Sequence, residues 1–127
     1  WQRQQRAALK DFDITHGQFV LLAGLAWLEE TQTAVSQVDL ANHTGIDVMM
    51  TSDLVRKLEA KDLLRRETHP DDSRAKAIKL TDQGRDFVKK LVKVVEAVDH
   101  KFFSVLGPDV QQLLKLMLRL RTTLENQ

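Results

Sequence analysis

The chain has 127 residues and carries 19 Lys and Arg against 18 Asp and Glu, so its formal net charge is +1 at pH 7. It is 43% hydrophobic and 29% charged, which is typical of one globular domain or one compact subunit. Cysteine is absent, which excludes disulfides, thiolate catalysis and sensing by cysteine oxidation. No apolar run approaches the ~20 residues that span a bilayer, and no signal-peptide pattern is present, so we expect a cytoplasmic protein that does not enter membranes.

Charge is unevenly distributed along the chain. Residues 1–50 contain three Lys or Arg against six Asp or Glu, whereas residues 51–90 contain eleven against eight. The positive excess therefore falls on one continuous segment, as it does where a protein contacts nucleic-acid phosphates. An ordinary solvated surface of mixed sign explains the same distribution, so charge alone leaves both interpretations open.

The first quarter of the chain predicts a scaffold. Residues 1–9 have helical composition but are too few to form a stable helix alone, so we expect the end of a longer helix that docks on another element. Thr15 and Gln18 form a capping-box pattern that starts a second helix. Apolar residues recur along this helix at three- and four-residue spacings, which indicates burial. They are Phe19, Leu22, Leu25, Ala26 and Trp27.

A third helix is predicted from Ser36 to His43. Ser36 is a preferred N-cap residue, and Asp39 places an acid in the first turn, where the helix dipole favours negative charge. Three apolar residues of this helix are expected to face inward. They are Val38, Leu40 and Ala41.

A tight turn and a fourth helix follow directly. The turn is Thr44–Asp47, and Gly45 in it suits the left-handed conformation in which helices commonly end. Asp47 is the predicted N-cap of a helix from Val48 to about Lys61. Helix, tight turn and helix in this order predict a helix-turn-helix, which places its second helix in a DNA groove.

The fourth helix is predicted to have one buried and one exposed face. The buried stripe follows the i, i+3, i+4, i+7 spacing and comprises Thr51, Leu54, Val55 and Leu58. The exposed face lies near the N-terminal half, which reaches base edges in helix-turn-helix proteins. It gives the candidate DNA-reading residues Met49, Met50, Ser52, Asp53 and Arg56. Taken alone, this pattern favours an amphipathic core helix that contacts no DNA, so the flanking turn and wing decide between the two.

A β-hairpin is predicted after this helix. Its strands are Leu63–His69 and Ala75–Leu80, and its tip, Pro70–Arg74, has turn-forming composition. The candidate DNA-binding residues of this wing are Asp72, Arg74 and Lys76. An arginine on a protruding tip can enter a minor groove, and a neighbouring carboxylate can orient its guanidinium. The alternative is an exposed turn with a local salt bridge.

Two apolar helices are predicted at the end of the chain. Thr81 caps a helix from Asp82 to about Leu106, Gly107–Pro108 breaks it, and the last helix runs from Asp109 to about Glu125. Their apolar residues cover more than one face, which one small subunit cannot bury, so we expect a two-fold homodimer. The predicted interface residues are Phe102, Leu113, Met117, Leu120 and Leu124. A monomeric bundle wrapped by both helices is the alternative.

Five motifs along the chain, in this order, resemble those of MarR-type transcriptional regulators. They are Gln18-Phe19-x-Leu-Leu, Asp39-Leu40-Ala41, Leu58-Glu59-x-Lys61-x-Leu63-Leu64-x-Arg66, Pro70 through Lys76, and Leu80-Thr81-x-x-Gly84. The resemblance covers residues 15 to 90 well, whereas the C-terminal helices agree in layout only. It implies a mainly α fold with a small β-wing. It also implies that residues 1–127 form one subunit, in which a winged helix-turn-helix DNA-binding lobe spans 15–81 and a helical dimerisation region spans 1–14 and 82–127.

The resemblance also implies a function. Regulators of this type are homodimers that bind pseudo-palindromic operators in double-stranded DNA, usually as repressors. Many release DNA when a small anionic, aromatic or phenolic ligand binds. By position, Asp72 and Arg74 match the wing pair of the family, and the outward face of the fourth helix matches its recognition helix. The family's first helix is longer than residues 1–9, so we expect the natural protein to begin before Trp1.

Four positions depart from the pattern of the family. Met49-Met50 stands where small hydroxylated residues are common, and Asp53 stands where a basic residue is common. Methionine can contact thymine methyl groups, and aspartate can accept a hydrogen bond from cytosine N4, so the operator is left open. Asp62 replaces a glycine after the recognition helix, and aspartate tolerates the left-handed conformation better than most residues.

Other functions are weaker interpretations of the sequence. The four histidines and the hydroxyl residues show no catalytic spacing, and no His-x-x-x-His pattern suggests a metal, so we expect no catalytic residues, no metal site and no cofactor. A winged helix that binds another protein instead of DNA is the main alternative. For control, we expect a ligand at an apolar junction between the DNA-binding lobe and the long helices. Its predicted residues are Phe12, Phe19, Trp27 and the region of Phe87.

Overall fold

The structure is a computed structural model that describes residues 1–72 and 74–125. The described part is mainly helical with one antiparallel pair of strands, so the predicted fold class is confirmed. Its helices are α1 (Gln2–Lys10), α2 (His16–Thr31), α3 (Gln37–Thr44), α4 (Val48–Ala60), α5 (Asp82–Phe103) and α6 (Asp109–Glu125). Its strands are β1 (Leu64–Thr68) and β2 (Lys76–Leu80). Position 73 of the predicted wing tip, and positions 126 and 127 of the predicted subunit, lie outside the described residues.

Side-chain caps start four of the helices where the sequence predicts them. Thr15 and Gln18 form a capping box on α2, and Ser36 forms one with Asp39 on α3. The carboxylate of Asp47 accepts the backbone N–H of Met50 at 2.8 Å and so caps α4. The hydroxyl of Thr81 caps α5 in the same way. Each cap satisfies an N–H group that the first turn of a helix cannot pair internally.

The turn between α3 and α4 depends on a glycine. Gly45 has φ 75°, in the left-handed region that residues with a Cβ atom avoid. Its N–H donates to the carbonyl oxygen of Ala41 at 3.0 Å, which closes the last turn of α3. The chain can therefore reverse within three residues and bring α4 across α3.

The core of the lobe lies between α2, the helix-turn-helix and the first half of α5. Its fully buried side chains include Leu21, Leu22 and Leu25 of α2, Leu40 of α3, Val55 and Leu58 of α4, Leu64 and Ile78 of the hairpin, and Leu91 of α5. Burial of one such side chain is worth about 1.5–3 kcal/mol, so the buried stripe of α4 holds that helix rigidly on the scaffold.

Two apolar residues predicted to face the core are exposed. Val38 is 55% exposed because it lies two residues, and hence about 200° around the helix axis, from the fully buried Leu40. Trp27 is 54% exposed because four leucines of α2 occupy the core-facing side. Its indole stacks instead on the ring of His43, with centroids 4.8 Å apart.

The N-terminal helix docks on α5, as expected for the end of a helix that is too short to stand alone. Trp1 Nε1 and Gln5 Nε2 both donate to Oδ1 of Asp99, each at 2.7 Å. The indole of Trp1 also stacks on Phe102, with ring centroids 5.5 Å apart. The predicted long helix ends as an α-helix at Phe103 and continues to Leu106 as one 3₁₀ turn. Of the described helices, none combines the length and the apolarity needed to cross a membrane.

Candidate nucleic-acid interface

The N-terminal half of α4 presents an exposed apolar tip. Its first three residues are Val48, Met49 and Met50, whose exposed fractions are 53%, 83% and 55%. On the opposite side, all four residues of the predicted stripe are buried. The prediction of which side of α4 faces outward is therefore correct. A helix anchored along one side and apolar at its free end can enter a groove without rearranging the core.

The polar candidates on α4 interact with each other. Ser52 and Asp53 are half-buried and Arg56 is exposed. The Asp53 carboxylate lies 3.0 Å from Lys57 Nζ and 3.7 Å from Arg56 Nη2. The hydrogen bond from Lys57 is the largest cause that lowers the pKa of Asp53. The sequence analysis does not select Lys57 as a site residue. Its i, i+4 spacing from Asp53 is nevertheless a signal that the sequence contains.

The wing extends beside this helix as a regular antiparallel hairpin. Leu64 pairs with Leu80 at its base and Thr68 pairs with Lys76 near its tip. At the tip, Asp72 Oδ1 accepts the backbone N–H of Arg74 at 3.0 Å and lies 3.5 Å from its Nε. The side chain of Arg74 is 92% exposed. Lys76 is also exposed, so the three predicted wing residues lie together on the protruding end.

Hydrogen bonds at two places tie the wing to α4 and to the turn that follows it. Arg66 of β1 donates to both carboxylate oxygens of Glu59 on α4, at 2.9 and 3.3 Å. This hydrogen bond is the largest cause that lowers the pKa of Glu59. At the base of the wing, the Thr81 side chain donates to the carbonyl oxygen of Asp62 at 2.6 Å, and its N–H donates to that of Leu63 at 3.2 Å. Wing and helix are therefore joined both along β1 and at the base of the hairpin.

Comparison with known proteins agrees with this geometry. A family model described as an ArnR1-like, winged-helix domain matches residues 10–98. The chain is also similar to the HTH-type transcriptional regulator YdcH of Bacillus subtilis (strain 168). The two are 38% identical over 104 residues, which cover 82% of this chain and 71% of YdcH. This chain belongs to the ArnR1-like winged-helix family.

Solved structures show that this ArnR1-like chain shares the fold of MarR. A mutant MarR from E. coli superposes with a TM-score of 0.79 at 22% identity, over 93% of this chain and 85% of that one, which shows a common fold. BpsR of Bordetella bronchiseptica, whose DNA binding is regulated by 6-hydroxynicotinic acid, superposes with a TM-score of 0.78 at 28% identity, over 94% and 83%. The predicted resemblance to MarR-type regulators is confirmed, and the protein is a DNA-binding transcriptional regulator.

A cavity of about 690 Å³ lies in this MarR-type subunit between the end of α1, the turn after α4 and the start of α5. Phe12 and Phe87 line it, with ring centroids 6.3 Å apart. Leu63 and four charged residues complete much of the lining: Asp13, Lys61, Asp86 and Lys90. Phe19 and Trp27 line a separate surface depression with His43. The expectation of one junction that includes all four aromatic residues is therefore only half correct.

The second helix of the C-terminal pair lies outside the core of the subunit. Every residue of α6 is at least partly exposed, and its exposed apolar side chains include Met117, Leu120 and Leu124. Phe102 on α5 is also exposed and Leu113 is half-buried. The chain therefore does not form a monomeric bundle in which α6 covers the core.

Proposed function

We propose that the protein is a cytoplasmic, non-enzymatic repressor that binds a pseudo-palindromic operator as a homodimer and releases it on binding a small aromatic acid or phenol. The observation that carries this proposal is that α4, whose first turn is exposed and apolar, is joined through Glu59 and Arg66 to a wing whose tip presents Arg74. Such a pair suits simultaneous contact with a major groove and the adjacent minor groove. The exposed Arg74 and Lys76 on the wing argue against a winged helix that binds only another protein.

The homodimer is supported by the C-terminal helices. A contiguous apolar surface of this kind is uncommon on a monomer and marks an interaction site. The proposed interface comprises Phe102, Leu113, Met117, Leu120 and Leu124, with α6 of one subunit against the same helix of its partner. In such a dimer the two copies of α4 need a separation of about 34 Å to enter successive major grooves.

The proposed ligand site is the cavity under Phe12 and Phe87. The two rings offer stacking surfaces to an aromatic ligand, and Lys61 and Lys90 offer cations to a carboxylate or phenolate. Lys61 directly follows α4, and its Nζ donates to the backbone carbonyl oxygen of Asp13 and lies 3.5 Å from the carboxylate of the same residue. An anion bound to Lys61 would compete with Asp13 for this ammonium group at the end of α4. The regulation of BpsR by 6-hydroxynicotinic acid supports this class of ligand.

The test begins with selection of bound duplexes from a random DNA pool at two salt concentrations. We expect a two-fold-symmetric motif whose half-sites are about one helical turn apart. Sedimentation of the protein, alone and with this duplex, should give one dimer per site. If no duplex binds at either salt concentration, a winged helix that binds another protein replaces the proposed function. Binding without a common motif would contradict sequence-specific regulation.

The ligand step has its own assay. A panel of benzoic and nicotinic acids and phenols is titrated against the protein–duplex complex, and release is measured by fluorescence anisotropy. Phe87→Ala should abolish the response to an active compound and leave affinity for DNA within about twofold, whereas Trp27→Ala, outside the cavity, should leave both unchanged. If Phe87→Ala still responds to the compound, the ligand binds outside this cavity.

A further inference from the structure

We propose that the tip of α4 reads thymine methyl groups in the major groove, with Met49 as the principal contact, and that Asp53 reads no base. The inference rests on the proposed function, since it requires α4 to lie in a major groove. It adds which group on the base the helix recognises, namely the 5-methyl group of a pyrimidine.

The composition of the tip is the first reason. Val48, Met49 and Met50 are consecutive, so together they cover most of the circumference of the first helical turn with apolar atoms. The side chain of Met49 is 83% exposed, and it lies at the end of the helix that enters a groove first. The thymine methyl is the only apolar group that a base pair presents in the major groove. The flexible thioether chain of methionine adapts well to such a target.

The pairing of Asp53 is the second reason. Its carboxylate is held by Lys57 at 3.0 Å and approached by Arg56 at 3.7 Å, both on the same helix. A cytosine amino group would have to share this carboxylate with an ammonium group only 3.0 Å away. The carboxylate instead keeps two cations in place on the exposed side of α4, from which they can reach phosphates. That arrangement leaves the apolar tip as the surface that distinguishes one base pair from another.

Uracil provides a clean probe of this inference. Deoxyuridine lacks only the 5-methyl group of thymidine and keeps its O4 acceptor, so it separates methyl contact from hydrogen-bond readout. Each thymine of the selected half-site is replaced in turn by deoxyuridine, in both half-sites at once. Affinity is measured by anisotropy at constant salt concentration. Removal of a methyl group that Met49 touches should weaken binding about fourfold per half-site, or about 15-fold for the symmetric duplex.

Restoring the methyl on a different base sharpens the result. At the sensitive position, a C·G pair should bind weakly, and 5-methylcytosine in place of that cytosine should recover part of the affinity. The corresponding change in the protein is Met49→Ala. This variant should bind the thymine and uracil duplexes with nearly the same affinity. Arg74→Ala is the matched control, because the wing residue should weaken binding to both duplexes by the same factor. Thermal melting of each variant controls for folding.

The outcomes separate the inference from the function on which it rests. A pool that yields no motif contradicts the proposed function and the inference with it. A clear motif that contains no thymine, or that tolerates deoxyuridine everywhere within twofold, overturns the inference alone. A loss of preference for one C·G pair in Asp53→Asn, without any effect of uracil, would assign base reading to Asp53 instead.

Discussion

A Cβ atom added to Gly84 would lie 1.8 Å from the carbonyl oxygen of Leu63. The first turn of α5 is therefore pressed against the turn that follows the recognition helix. The same carbonyl accepts the N–H of Thr81, whose side chain accepts the N–H of Gly84 at 2.9 Å. This explains the Leu80-Thr81-x-x-Gly84 motif physically, since the threonine caps α5 and the glycine lets it approach the backbone.

Gly84→Ala should lower the free energy of unfolding by about 3 kcal/mol or more, because backbone cannot move aside as a side chain can. Chemical denaturation measures the change. Gly17→Ala is the matched control, since a Cβ there would meet only the Leu54 side chain at an ordinary 3.7 Å. It should be neutral, or stabilising by up to about 1 kcal/mol through helix propensity. Equal losses in both variants would contradict the steric explanation.

The elements of this fold were predictable because their signals are local. Thr15, Ser36 and Asp47 each cap a helix within three residues of their own position, and Gly45 ends α3 within the same span. Gly84 and Leu63, by contrast, are distant in the sequence and lie on different elements, so no helical or strand periodicity predicts that they touch. The sequence could therefore mark Gly84 as part of a motif but could not show what lies against it.

The candidate site divides in the same way. The exposed position of Met49 follows from the buried stripe on the other side of α4, which a 3.6-residue period reveals. The separation of Trp27 from Phe87 does not follow from either residue's own helix, because it depends on how α2 and α5 cross. Aromatic residues of different elements can share a cavity only if packing brings those elements together, and of the four it brings Phe12, in the turn between α1 and α2, to Phe87 of α5.

Asp62 offers a test of backbone strain beside the recognition helix. Its φ of 60° lies in the left-handed region, where a residue with a Cβ atom is strained by about 1–2 kcal/mol. Asp62→Gly should raise the free energy of unfolding by about 0.5–1 kcal/mol, since part of the relief is offset by the greater freedom of glycine when unfolded. Asp62→Ala should lower it. Thermal or urea denaturation measures both, and stabilisation by alanine would rule out strain as the cause.

Glu29 holds the base of the wing to the scaffold. Its carboxylate accepts the backbone N–H of Leu80 at 2.8 Å and an N–H of Arg85 at 3.3 Å. Glu29→Ala should lower the free energy of unfolding by about 1–3 kcal/mol, because a part-buried N–H group loses its acceptor. Glu29→Gln keeps an acceptor and should lose less than half as much. Amide exchange of Leu80 provides the second measurement, and protection unchanged in Glu29→Ala would contradict this role.

Asp53 should titrate below its ordinary range in the free protein, because Lys57 lowers its pKa by stabilising its charged form. A carboxyl whose pKa is lower folded than unfolded stabilises the fold above its unfolded pKa. That stabilisation is lost as pH falls through the folded value. Lys57→Met should therefore raise the pKa of Asp53, followed by NMR titration of its carboxyl carbon. Arg56→Met should raise it less, since its guanidinium is farther away at 3.7 Å. The reverse order would make Arg56 the main partner.

Arg74 at the wing tip should contribute affinity without sequence discrimination. Its side chain is 92% exposed in the free protein and is oriented by Asp72, so DNA can receive it without disrupting any buried interaction. Arg74→Ala should weaken binding to operator and to unrelated duplexes by similar factors, and lower the slope of log affinity against log salt by about one per subunit. Asp72→Ala keeps the cation and should retain the slope while losing part of the affinity. A slope unchanged in Arg74→Ala would remove this residue from the interface.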